Sequence, residues 1–377
     1  MIRVLINSWA LLMGMFLLML GNGMQGTALS LRAGLEEFEA STMGFVMAAY
    51  FLGFLGGAQA SPWMLRRVGH VRVFAALASL ISAAFIIYAW WVHPVGWFVM
   101  RLLVGFCFSG VYVVAESWLN DGVDNANRGK ALSLYLIVQM SGIVLAQALI
   151  NVASPEGYEL FVIMSVAVSL ALTPILLSVS PVPMFEATKR MGLAELFRSS
   201  PLGCIGCLLL GGIFACLFGM LPVFGTEIGL TAAQITILTA ATYTGGLLLQ
   251  YPIGYFSDRM DRRTLIMIIT AVGGVAAAAP LLIGGAFEVL LVAAFVIGGT
   301  ANPLYSILIA HTNDFLQHDQ MASASGGLIV LNGVGAAGTP VAVGYVMEAL
   351  GPQAFLGTVM VLMAAISAYA AYRMTVR

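Results

Sequence analysis

Apolar runs of about twenty residues follow one another along the whole of this chain. A run of that length, wound as a helix, spans the hydrocarbon of a bilayer. In hydrocarbon the backbone can satisfy its polar groups only within the segment, so each run reads as a helix. Twelve can be counted, at about 9–31, 42–62, 72–92, 95–118, 131–153, 160–178, 202–224, 232–256, 265–283, 289–309, 322–344 and 353–372. Hydrophobic residues make up 60% of the chain, against roughly 45–50% in a soluble domain. The first run, Trp9 to Leu31, is too long for a signal-peptide core and ends in no small-residue cleavage pattern. It reads as a retained first helix. The expectation is an all-α polytopic membrane protein.

Charge is scarce, at 9% of residues, and nearly all of it sits between the runs. An even number of spans puts both termini on one side. The loops on that side, with the two tails, hold 14 of the 16 basic residues, Arg66, Arg67, Arg72, Arg259, Arg262 and Arg263 among them. By the positive-inside rule both termini are cytoplasmic. The densest cluster, Gly254-Tyr255-Phe256-Ser257-Asp258-Arg259-Met260-Asp261-Arg262-Arg263, lies between the eighth and ninth runs. A second cluster, around Arg66 and Arg67, precedes it so that Arg67 and Arg259 stand 192 residues apart. That offset is close to half of 377 residues. The chain therefore reads as two copies of one unit: a six-helix bundle over 1–178, a cytoplasmic loop over 179–200 and a second six-helix bundle over 201–377. Within the loop, Leu193, Leu196 and Phe197 fall at helical spacing and predict a short amphipathic helix on the membrane surface.

Polar groups inside hydrocarbon are costly, so those present face a bundle interior or a cavity. Asn22 and Gln25 lie on one face of the first span, Arg101 and Glu116 in the fourth, Gln139 and Gln147 in the fifth. Gln250 lies in the eighth, Asn302 in the tenth and Asn332 in the eleventh. Inside their ends, spans three, six, nine and twelve have no such residue, which predicts that every third helix faces lipid, although the seventh span lacks Asn and Gln as well. Arg101 either binds an anionic group, tunes a neighbouring carboxylate, or clamps helix-end carbonyls. Glu116 lies about 22 Å along the helix from Arg101, too far to pair with it, and is expected to pair with Arg67 or Arg72 rather than carry a proton. His311 and His318 are expected to be solvated. The four cysteines all lie in apolar runs, and Cys204-x-x-Cys207 reads as small packing residues rather than a metal or redox pair.

Gly254-x-x-x-Asp258-Arg259-x-x-Arg262-Arg263 resembles the loop signature of the major facilitator superfamily. Arg101-Leu102-Leu103-Val104-Gly105 resembles its Arg-x-x-x-Gly motif, and Arg128-Gly129-Lys130-Ala131 also fits. Val113-Val114-Ala115-Glu116-Ser117 and Gln250-Tyr251-Pro252-Ile253-Gly254 are similar to the bacterial YcaD-like branch, which implies no defined substrate. Two departures stand out. Arg66 and Pro62 occupy the acidic and leading-glycine positions of the first-half loop, and Ser141-Gly142-Ile143-Val144-Leu145-Ala146-Gln147 lacks the Gly-x-x-x-Gly-Pro pattern of the family's drug antiporters.

The resemblance implies twelve helices in two pseudo-repeats and transport by alternating access. It places a substrate cavity among the first, fourth, seventh and tenth helices. The candidates there are Asn22, Gln25, Arg101, Tyr112, Phe214, Phe218, Asn302 and Tyr305, with Gln139, Tyr243 and Asn332 from supporting helices. Asp258, Arg259, Arg262, Glu116 and Arg67 are the gating candidates. The set is mostly apolar with amides and hydroxyls, which suits a neutral or weakly charged amphipathic molecule. No nucleotide loop, zinc-protease helix or nucleophile elbow is present, so the chain reads as a secondary transporter of the bacterial inner membrane and not as an enzyme. No cofactor, metal or nucleic-acid partner is expected. The expected partners are a small-molecule substrate, the lipid bilayer and, as candidate coupling ion, protons, with the chain acting as a monomer. The alternative is a transporter-shaped receptor or assembly factor without flux.

Overall fold

The computed structural model describes residues 2–121, 128–177, 192–257, 259–317 and 320–375. They are helical almost throughout. In chain order the helices are α1 (Ile2–Leu35), α2 (Ala40–Val68), α3 (His70–Trp90), α4 (Pro94–Asp121), α5 (Arg128–Leu149), α6 (Glu159–Leu177), α7 (Leu193–Ser199), α8 (Pro201–Ala215), α9 (Leu221–Glu227), α10 (Ala232–Ser257), α11 (Arg262–Ile283), α12 (Phe287–Asn313), α13 (Met321–Leu350) and α14 (Ala354–Thr375). Twelve helical stretches among the described residues are long and apolar enough to cross a membrane. The seventh runs through α8, a π-helical segment at Cys216–Met220 and α9. The chain is an all-α polytopic membrane protein.

Local chemistry sets the ends of the helices. Pro201 opens α8 behind Ser200, whose hydroxyl accepts from the Gly203 N–H; Asp261 caps α11 through the Thr264 N–H at 3.1 Å. The short helix expected at Leu193 forms as α7, with Leu196 buried and Leu193 and Phe197 about half exposed.

The chain forms two compact units. Unit 1 comprises Met1–Glu36 and Ala49–Ala187; unit 2 comprises Glu37–Ala48 and Thr188–Arg377. The first turns of α2 group with unit 2. There Gly44 meets the Pro340 carbonyl, and the Ser41 N–H donates to a Glu348 carboxylate oxygen at 2.7 Å.

Lipid tails are as apolar as leucine, so helices in a membrane associate by close packing over small residues. Each unit does this at the same places. In unit 1, Gly105 of α4 lies against the Tyr50 carbonyl of α2 and Gly53 of α2 against the Leu102 carbonyl of α4. In unit 2, Gly298 of α12 lies against the Thr242 carbonyl of α10 and Gly245 of α10 against the Phe295 carbonyl of α12. Gly142 of α5 on the Phe16 carbonyl is matched by Gly335 of α13 on the Leu208 carbonyl. Tyr50, Gly53 and Phe16 stand 192 residues before their counterparts, and Leu102, Gly105 and Gly142 stand 193 before theirs. The repeat is therefore carried by interhelical contacts, with one residue gained between α2 and α4.

Spans three, six, nine and twelve are 33–44% buried, against 72% for spans one and seven. Spans five and eleven are equally open, at 39% and 28%, although each carries an amide, so polar content and coverage do not track each other. At Gly105 an added Cβ would fall on the Tyr50 backbone, whereas nothing lies within 4 Å of one at Gly338. Gly105→Ala is expected to destabilise the detergent-solubilised protein by about 1–3 kcal/mol and Gly338→Ala to leave its melting temperature unchanged, as read by thermal unfolding.

Candidate functional site

Unit 1 gathers polar side chains around Asn22, about midway along α1. Gln25, one turn on, donates through Nε2 to the Asn22 Oδ1 at 2.6 Å. The Tyr50 hydroxyl of α2 donates to the same oxygen, and the Asn22 amide to the Tyr112 hydroxyl of α4, both at 3.5 Å. These two are at the outer limit of a hydrogen bond. Phe54 and Phe108 pack on the Tyr50 and Tyr112 rings. The Arg101 guanidinium lies 4.9 Å over the Tyr50 ring and is almost fully buried. An aromatic face stabilises a desolvated cation by about 2 kcal/mol. Gln25 Oε1 is buried without a hydrogen-bond partner.

Below Tyr112 by one turn of α4 stands Glu116, with its side chain exposed. It forms no ion pair among the described residues. The pairing expected with Arg67 or Arg72 is absent: Arg67 lies over the Trp63 ring of its own helix at 5.3 Å, and Arg72 is exposed. Glu116 instead lies within electrostatic reach of Tyr135 on α5, whose buried hydroxyl neighbours Gln139. Gln139, one turn beyond Tyr135, is also buried. Gln147 ties α5 to α1, accepting from Thr27 and donating to the Gly23 carbonyl, so it acts as a helix-to-helix lock.

Unit 2 places an aromatic ring where unit 1 has the amide of Asn22. Phe214 occupies the position that repeats Asn22, Tyr305 that of Tyr112, and Asn332 that of Gln139. The Phe214, Phe218 and Tyr243 rings stack in sequence. Asn302 of α12 lies against Gly246 of α10. Asn332 donates to the Cys207 carbonyl at 3.1 Å, and that bond joins α13 to α8. All four cysteines are buried and free.

The charge cluster after α10 is committed piece by piece. Asp258 lies outside the described residues. Arg259 donates to the Tyr255 carbonyl and covers the Tyr255 ring. Arg262 pairs with Asp314 at the end of α12, a partner that sequence reasoning did not single out. Arg263 donates to the Arg373 carbonyl. His311 is buried with its ring edge-on to Phe315, which corrects the expectation of a solvated side chain: α12 continues to Asn313 and keeps His311 in its last turn. His318 lies outside the described residues. Tyr50 was also missed; its partners Asn22 and Arg101 lie far from it in the chain, and no local pattern marks it.

The description Major Facilitator Superfamily matches residues 11–232 and 203–376. The chain is 24% identical over 340 residues to the uncharacterized MFS-type transporter YcaD of Escherichia fergusonii, covering 86% of this chain and 85% of the relative. It is 25% identical over 340 residues to YcaD of Salmonella arizonae, with the same coverage. Among solved structures it resembles the nucleoside transporter NupG, with a TM-score of 0.76 at 18% identity, covering 96% of this chain and 98% of that one. A bacterial homolog of the lysosomal transporter Spinster matches with a TM-score of 0.71 at 15% identity, covering 98% of this chain and 94% of that one. With the family matched over nearly its whole length, the chain belongs to the Major Facilitator Superfamily of membrane transporters.

Proposed function

We propose that this protein is a secondary active transporter that moves a small organic solute across the bacterial inner membrane by alternating access. The observation that carries the reading is the Asn22 cluster: amide and phenol groups gathered inside an apolar bundle, with the Gln25 Oε1 left unpartnered. A buried acceptor without a partner costs about 1–3 kcal/mol, a cost that a bound solute donating to it would remove. In unit 1, Asn22, Gln25, Tyr112 and Gln139 serve substrate binding, and Arg101 holds Tyr50 in place. Asn302, Tyr305 and the aromatic set serve it in unit 2, with Asn332 in support. Arg259 and Arg262, together with Arg67 and Asp258, shape the cytoplasmic loops that gate access. The similarity in fold to a nucleoside transporter supports a small-molecule cargo.

Protons are the coupling ion this reading favours. Glu116 is an accessible carboxylate within a span, without a basic partner among the described residues, and intramembrane carboxylates of that kind mark ion pathways. The chain is read as a functional monomer.

Proteoliposomes offered a solute mixture, with and without a pH gradient, test the proposal. Gradient-driven uptake is expected, and Glu116→Gln is expected to abolish the gradient's effect. Equal response of wild type and Glu116→Gln would move the coupling site elsewhere, and no uptake of any solute would remove the transporter reading. Asn22→Leu, which deletes the contacts to Gln25, Tyr50 and Tyr112, is expected to raise the KM for the transported solute about ten-fold or more, on the scale of one or two lost hydrogen bonds, as read by initial uptake rates.

Orientation is tested separately. The native cysteines are buried, so labelling of the wild type should be low. In intact cells an impermeant maleimide should label Glu156→Cys and spare Gln317→Cys; the reverse pattern would place the termini outside.

A further inference from the structure

Unit 2 contains two stacked aromatic groups, and they differ in one respect. Phe224 and Phe355 stack at 4.9 Å between centroids with 16° between planes, and both are fully buried. That is core packing. Phe214, Phe218 and Tyr243 stack at 5.4 Å and 26°, then at 4.8 Å and 9°, and all three remain half-buried. Their ring surface stays open although the span carrying two of them, Pro201–Glu227, is 72% buried.

The backbone departs from regular α-helix at this arrangement. At Cys216–Met220 the helix becomes π-helical, and the Leu221 N–H reaches the Cys216 carbonyl. A π segment adds one residue to a turn, and it turns the side chains on one side of it by about 100° relative to the other. Phe218 sits inside that segment, facing Tyr243. Such segments forgo regular hydrogen-bond geometry and occur mostly at functional sites.

A polar edge adjoins the rings. Gly246 lies three residues beyond Tyr243 on α10, hence on the same face, and the Asn302 side chain lies against it so closely that a Cβ at Gly246 would overlap its amide nitrogen. Asn302 is half-buried and makes no hydrogen bond among the described residues. The Tyr305 ring, also half-buried, stands one turn along the same helix. The set holds no charged side chain.

We propose that this face of unit 2 binds a flat, uncharged aromatic or heteroaromatic ring, which extends the Phe214–Phe218–Tyr243 stack and sets its polar edge against the Asn302 amide. Aromatic faces prefer offset stacking with another flat ring; a saturated ring of equal size presents no such face. A charge here would be desolvated without a counter-charge, which excludes ionic rings. The proposal rests on the transporter reading and narrows its solute.

The test is uptake into proteoliposomes from an equimolar mixture of matched neutral pairs, benzamide with cyclohexanecarboxamide and 2-quinolone with its decahydro counterpart, together with a small-molecule extract of the source cells, read by mass spectrometry. The flat members are expected to enter about ten-fold faster than their saturated partners. Phe218→Leu should abolish that preference, a loss on the scale of one aromatic stacking contact. Phe218→Tyr should keep the preference. Gly246→Ala, which displaces Asn302, should lower uptake of the flat amides while leaving the melting temperature within a few degrees of wild type. Equal entry of flat and saturated members, or a preference that survives Phe218→Leu in a variant that folds, overturns the proposal. Entry of extract solutes without either flat probe also overturns it, while the transporter reading stands. If neither probes nor extract solutes enter, the transporter reading fails and the proposal fails with it.

Discussion

The fold depends on packing that hydrophobicity does not drive. Once the helices are in lipid, burying a leucine against another helix gains little over burying it in acyl chains. What remains is close contact, and this chain achieves it with glycine against backbone carbonyl. Gly53 and Gly105 join α2 to α4, Gly245 and Gly298 join α10 to α12, and Gly142 and Gly335 seat α5 on α1 and α13 on α8. These contacts leave no room for a side chain, so they fix the separation and register of the helices they join. Everything polar inside the units is positioned by that register.

The second-order consequence is an asymmetry between two copies of one plan. The position that holds Asn22 in unit 1 holds Phe214 in unit 2, while Tyr112 and Tyr305, and Gln139 and Asn332, correspond. Unit 1 uses its version for a hydrogen-bonded cluster on Asn22. Unit 2 uses its version for stacked rings, and departs from regular helix at Cys216–Met220 to align them. A scaffold repeated in its packing contacts has thus diverged in the side chains at these positions.

Reading the sequence succeeded where the physical signal is local. The twelve apolar runs became twelve long helices, and the spacing of Leu193, Leu196 and Phe197 became α7. The 192-residue offset read from two loop arginines reappears in glycine contacts. Reading failed where a side chain's role depends on which neighbour it meets. Glu116 was expected beside Arg67 or Arg72; Arg67 turns onto Trp63 and the carboxylate stands unpaired among the described residues. His311 was expected in water, yet α12 extends past it and buries it. Asp314 and Tyr50 were not singled out, because each gains its meaning from a partner far away in the chain: Arg262 for one, Asn22 and Arg101 for the other.

By itself the sequence determined the number of helices, their family and the repeat, since hydrocarbon forces every apolar run of sufficient length into a helix whatever surrounds it. Tertiary structure alone decided which polar groups converge. Helical periodicity assigns a residue to a face of its own helix, but the helix that the face meets, and at what rotation, follows from glycine contacts between segments far apart in the chain. It also follows from a π turn, which no periodic pattern in the sequence announces. Those two features place Asn22 among three hydroxyl and amide partners, and Phe218 flat against Tyr243.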